Sequence, residues 1–165
     1  METKHYMYAL IDYINSRPQL KKAVLFLDKR MPLVTTWGFY LTLIYLAVNM
    51  DKRVFYVAFI PWLNFFIVSA VRSRLNLKRP FEELEFEPLL PHSPGKACPS
   101  RHATSSVIIS IAVYYIYPPA GILLGATSVI ICLTRVLTGV HYPRDVIWGA
   151  AVGAITGYVG FFIIL

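Results

Sequence analysis

Charge is missing from most of this chain. Uncharged stretches run from Met31 to Met50, Val54 to Val71, Ala103 to Thr134 and Val146 to Leu165. The 16 Lys and Arg and 9 Asp and Glu are clumped between them. That pattern excludes an ordinary soluble helical domain, whose helices each keep a polar face for water. Cysteine is scarce as well. Cys98 and Cys132 are too few for a disulfide framework, and in its apolar run Cys132 is a small hydrophobe. Internal repeats and low-complexity segments are absent. The N-terminus lacks the form of a secretory signal, because charge interrupts its apolar core and no small-residue cleavage site follows.

What is present is hydrocarbon. Hydrophobic residues make up 56% of the chain and the mean hydropathy is +0.54. A helix needs roughly 20 apolar residues to cross a hydrocarbon layer of about 30 Å. The run from Ala103 to Thr134 is too long for one such helix and is broken at Pro118-Pro119-Ala120-Gly121, so it reads as two spans. The expectation is an all-α integral membrane protein, a bundle of about five transmembrane helices near 31–50, 54–71, 103–117, 120–137 and 146–165. Gly149, Gly153 and Gly157 recur every four residues on one face of the last span. That spacing lets a neighbouring helix of the same chain approach closely, a reading preferred to a dimer face; the oligomeric state is not indicated.

Met7, Leu10, Ile11 and Ile14 form one apolar helical face, Pro18 breaks the run, and Leu20, Val24 and Leu27 resume it among Lys21, Lys22, Lys29 and Arg30. Residues 1–30 therefore read as an amphipathic interfacial segment ahead of the transmembrane core at 31–165. Packing of that face on the protein's own spans is the alternative. The whole of 1–165 is one membrane domain whose only long connection is the polar, proline-rich loop 72–102. The formal charge of +7 sits on membrane-proximal segments, which points to anionic lipid or a phosphate ligand and not to nucleic acid.

With the spans alternating in direction, the N-terminal segment, the long loop and the loop from Leu137 to Asp145 share one face. Every group equipped for chemistry falls there: Arg72 and Arg79, His102, Arg135, and His141 with Asp145. Ionisable groups beside lipid are costly unless paired or bound to something, and arginine forks match phosphate oxygens. The spacing of His141 and Asp145 lets a carboxylate hold one imidazole nitrogen and leave the other free to attack. His102, after Pro99-Ser100-Arg101, is suited to protonating a leaving alkoxide. Ser100 and the backbone N–H groups of that helix start suit phosphate oxygens.

These residues resemble the type 2 phosphatidic acid phosphatase family, which shares its site with the vanadium haloperoxidases. The family signature is K-x6-R-P, P-S-G-H and S-R-x5-H-x3-D. Here it reads Arg72-x6-Arg79-Pro80, Pro99-Ser100-Arg101-His102 and Thr134-Arg135-x5-His141-x3-Asp145. Arg72 stands in place of lysine, Arg101 in place of glycine and Thr134 in place of serine; the nucleophile, acid and carboxylate are kept. The resemblance implies a membrane lipid phosphatase in which His141 forms a phosphohistidine, Asp145 orients it and His102 serves as the acid. Arg72, Arg79, Ser100, Arg101 and Arg135 would hold the phosphoryl oxygens. The family uses no metal or other cofactor.

The implied partners are the bilayer and a phosphorylated lipid such as phosphatidic acid, phosphatidylglycerophosphate or polyprenyl diphosphate. The implied location is a bacterial cell membrane, crossed several times. A non-catalytic lipid-binding or scaffolding protein is the rival from another class; it would show loss of His102, His141 or Asp145. A zinc site at His92, Cys98 and His102 lacks a fourth ligand. Of the basic residues only Lys52 and Arg53 lie on the face opposite the site. The positive-inside rule then favours a cytoplasmic site, while bacterial relatives often face outward, so both orientations stay open.

Overall fold

The computed structural model describes residues 2–164, with side chains from residue 6 onward, so positions 1 and 165 of the bounds above lie outside the described residues. Among the described residues every regular element is helical: α1 (Glu2–Asn15), α2 (Pro18–Val48), α3 (Arg53–Leu75), α4 (Pro80–Leu84), α5 (Arg101–Ile116), α6 (Pro118–Leu137) and α7 (Pro143–Phe162). Prolines open α2, α4, α6 and α7, where the missing N–H costs nothing. Asn76 ends α3 in the left-handed conformation.

Five long helices form the bundle. Four of them, α2, α3, α6 and α7, are long and apolar enough to cross a membrane. The fifth, α5, has 16 residues, about 24 Å at 1.5 Å per residue. It can be short because it sits inside, packed by α2, α3, α6 and α7. Lipid-facing surfaces lie on the outer helices, where Trp37, Phe55, Ile122, Ile147 and Trp148 are exposed.

Close approach of α5 and α7 depends on missing side chains. A Cβ on Gly149 would stand 2.6 Å from the Ser100 carbonyl oxygen, and one on Gly153 would stand 2.6 Å from that of Thr104. A Cβ on Gly157 would meet the Ile111 side chain at 3.0 Å. The glycine stripe therefore serves packing within the chain. Between other helices hydroxyls join: Thr35 and Thr127 link α2 to α6 at 3.2 Å, and Thr156 donates to Asn64 at 3.2 Å, linking α7 to α3.

The N-terminal segment differs from expectation in one respect. Residues 18–30 do not form one unit with residues 1–15; they are the first turns of α2, which continues unbroken through Pro32. Only α1 is separate. Its apolar face turns toward the protein, with Met7, Ile11 and Ile14 buried. Met7 packs with Leu84 and Tyr142, flanked by Leu10 and Phe86, and the Tyr8 hydroxyl donates to the Leu84 carbonyl. α1 thus braces the end of the bundle that carries the site. At Gly139, with φ of +75°, a Cβ would meet Phe86 at 2.8 Å and Ile11 at 2.9 Å, so both backbone and space call for glycine.

Candidate active site

Several chain segments converge at that end. α3 contributes Arg72, the loop contributes Arg79 and Ser100, the last turn of α6 contributes Arg135, the α6–α7 connection contributes His141 and the first turn of α7 contributes Asp145. All six side chains are buried. Backbone contacts lock the segments together: Ser100 N–H donates to the Asp145 carbonyl at 2.9 Å, and His141 N–H to the Arg135 carbonyl at 3.2 Å.

Each arginine is held by oxygen atoms of the protein. An Arg72 Nη1 donates to the Pro99 carbonyl and, at 3.4 Å, to that of Ala97. Arg79 donates through Nε to the Gly95 carbonyl at 3.0 Å and through Nη1 to that of Val140 at 3.2 Å. Burial lowers the Arg79 pKa below its ordinary value, and the side chain is a fixed positive charge at neutral pH all the same. Arg135 makes a 2.8 Å ion pair with Asp28 of α2.

The loop is shaped by its glutamates. The Glu82 carboxylate accepts from the backbone N–H groups of Arg79 at 2.9 Å and Gly95 at 2.7 Å, pinning both ends of the Arg79 segment. Glu83 accepts from the Tyr142 hydroxyl at 3.0 Å. Burial first, and then that bond, push the Tyr142 pKa up to about 12, so the hydroxyl stays a donor.

His141 Nδ1 lies 3.7 Å from Asp145 Oδ2, beyond hydrogen-bond length. That carboxylate oxygen accepts the Tyr142 N–H at 3.0 Å, which fixes Asp145 at the start of α7. Catalytic contacts often tighten only when substrate binds. Burial drives the His141 pKa down to about 4, with the charges of Arg79 and Arg72 acting in the same direction and Asp145 against them. The resting imidazole is therefore neutral, the form that can attack.

Several of these groups carry buried polar atoms without partners. Ser100 Oγ, Arg135 Nε, His141 Nδ1, Asp28 Oδ1 and His92 Nδ1 all lack a hydrogen bond. Buried polar groups are rarely left so. Ser100 occupies the N-cap position of α5, yet its hydroxyl does not cap the helix.

His102 and Arg101 face sideways. Both are exposed in a cavity of about 310 Å³ between α2, α3 and α5, lined also by Thr36, Phe65, Ser105 and Ile109. The Arg101 guanidinium lies 5.6 Å from the Phe65 ring centroid, apart from the buried arginines, while its backbone N–H belongs to the first turn of α5. His102 stays within electrostatic reach of His141 and Arg135. A second cavity of about 540 Å³, sharing Thr36, Phe65, Ser105 and Ile109, continues toward the bundle's middle past Phe39, Tyr40 and Trp62.

Sequence reasoning missed Asp28, Glu82 and Glu83 as partners of these residues. A signal for Asp28 exists: it stands four residues after Val24 and seven before Thr35, on the buried stripe of α2. Among the described residues no three His, Cys, Asp or Glu side chains are grouped to hold a metal ion.

The helical membrane bundle and the motif order define the class, and comparison with known proteins agrees. The PAP2 superfamily model matches residues 53–164, so the chain belongs to the PAP2 superfamily. It is 32% identical over 83 residues to a lipid A 1-phosphatase of Rhizobium johnstonii, a match covering 50% of this chain and 34% of that protein. It is also 32% identical over 83 residues to the undecaprenyl-diphosphatase BcrC of Bacillus subtilis, covering 50% and 43%. The match thus spans less than half the length of these curated relatives. Aquifex aeolicus LpxE shares the fold with a TM-score of 0.74 at 22% identity, covering 94% of this chain and 92% of that one. A PAP2-type phosphatidylglycerolphosphate phosphatase of Bacillus subtilis does so with a TM-score of 0.62 at 18% identity, covering 96% and 92%.

Proposed function

We propose that this protein is a membrane lipid phosphatase that cleaves a phosphomonoester or diphosphate through a phosphohistidine. The observation that carries the reading is the pair of buried, unpartnered groups Ser100 Oγ and Arg135 Nε among three arginines, with His141 buried beside Asp145. A phosphoryl group supplies the acceptors that such a cluster lacks.

Neutral His141 attacks phosphorus with its free nitrogen while Asp145 takes up the imidazolium charge. The P–O bond to the leaving group breaks as His102 gives that oxygen a proton. Water, deprotonated by His102, then attacks the phosphohistidine and releases inorganic phosphate. Arg72, Arg79, Ser100, Arg135 and the α5 start at Arg101 stabilise the equatorial oxygens. The lateral cavity beside His102 favours a lipid substrate, with its chain along Phe65 and Trp62 and its phosphate at the cluster. The two lipid phosphatase relatives support the same class. Residues 1–165 act as one membrane domain with 72–102 as its active-site loop, in a bacterial cell membrane.

The test is phosphate release by detergent-purified protein from a panel of lipid phosphates and diphosphates, with excess EDTA. Release that survives EDTA is expected. No release from any lipid would reject the reading, and release only without EDTA would reject its metal-free chemistry.

A further inference from the structure

Asp28 lies outside residues 53–164, the part of the chain that matches the superfamily, and the mechanism above does not use it. It is nevertheless buried on α2, and its carboxylate is bound to Arg135. The bond joins positions 107 residues apart.

The pair is only half made. Arg135 Nη2 donates to Asp28 Oδ2 at 2.8 Å and to the Asp28 carbonyl at 3.4 Å. Arg135 Nε and Asp28 Oδ1 remain buried without partners. A bridge serving stability alone gains most from the bidentate fork, in which both carboxylate oxygens and two guanidinium nitrogens are used. A buried ion pair is also weak evidence for stability, since apolar residues fill such space at no net cost. Here the guanidinium is gripped on one nitrogen and left open at Nε, and Ser100 Oγ, another buried group of the proposed site, is unpartnered too.

We propose that Asp28 is a positioning residue, whose carboxylate holds Arg135 by Nη2 and presents its Nε to the phosphoryl group. The proposal rests on the function put forward above. It gives α2 a part in the site that the superfamily match does not contain: the first long helix fixes an arginine carried by the fourth.

Two measurements test it on the purified full-length protein. The first needs no turnover: thermal unfolding with and without orthovanadate, an oxyanion that mimics the transferring phosphoryl group. Vanadate should raise the unfolding temperature of the wild type, less so that of Asp28→Asn, which keeps an acceptor oxygen, and not that of Asp28→Ala. An equal rise in wild type and Asp28→Ala, or none in the wild type, overturns the proposal. If Asp28→Ala does not fold, Asp28→Asn decides: an intermediate rise supports the proposal and a full rise overturns it.

The second is phosphate release. Asp28→Ala should lower kcat/KM on the order of 100-fold, but only about threefold or less in an Arg135→Lys background, because the two residues act as one unit. The same loss in both backgrounds would show an independent structural role and overturn the proposal. A wild type stabilised by vanadate yet inactive on every lipid phosphate rejects the function while leaving the role of Asp28 standing.

Discussion

At pH 7 an imidazole with an ordinary pKa of 6.5 is about a quarter protonated, and that fraction cannot attack phosphorus. Burial removes the loss at His141, whose pKa falls to about 4. The sign of the pH dependence follows. Neutral His141 dominates above about pH 4, so the acid limb of kcat/KM that belongs to it should lie well below pH 5.5. A His141 imidazole that titrates near 6.5 by NMR in the folded protein would contradict this. Linkage runs the same way: between about pH 4 and 6.5 the unfolded chain binds a proton at this site and the folded one does not. His141 therefore costs stability progressively as pH falls through that window, which thermal unfolding between pH 4 and 8 checks. The closeness of His141 and Asp145 was legible in the sequence because they stand four residues apart, on either side of a helix start. Asp28 was not, because its partner stands 107 positions away and only the folded bundle joins them.

His141, the proposed nucleophile, sits in the short connection between α6 and α7, so the packing of those helices sets its position. α7 carries Asp145 in its first turn and lies against the start of α5, where Ser100 N–H donates to the Asp145 carbonyl. The contact depends on Gly149 and Gly153. A methyl group on Gly153 meets the Thr104 carbonyl oxygen at 2.6 Å, a backbone atom with no rotamer to escape into. Gly153→Ala is expected to cost about 1–3 kcal/mol by overpacking and to lower the unfolding temperature in detergent, whereas Gly125→Ala, with open space around it, should change little. The glycine period was readable in advance, but the start of α2 was not. Lys21, Lys22, Lys29 and Arg30 suggest a separate segment, yet they stand on the first turns of α2, whose 31 residues make about 46 Å of helix, longer than a hydrocarbon layer of about 30 Å. The loop from 76 to 100 has no period to read. Its shape comes from Glu82 gripping two backbone N–H groups, which spacing alone does not reveal.

The molecule as a whole turns its apolar surface outward and its charge to one end. On the proposed function, the acyl or prenyl chain of a lipid phosphate would lie in the lateral cavities that share Thr36, Phe65, Ser105 and Ile109. Ser105→Trp should block those cavities. Release of phosphate from a long-chain lipid phosphate is expected to fall by about tenfold or more, while a short water-soluble phosphate ester is cleaved at the wild-type rate. Equal loss for both would place the lipid elsewhere.

The central claim is a covalent phosphate on His141. It is tested most directly by rapidly quenching the enzyme during turnover of a phosphorus-labelled lipid phosphate, then mapping the label. The account predicts an acid-labile, base-stable phosphate on the peptide that contains His141, absent from a folded His141→Ala variant that releases no phosphate. Phosphate release by His141→Ala at a rate near that of the wild type, with no labelled histidine in either protein, would contradict it.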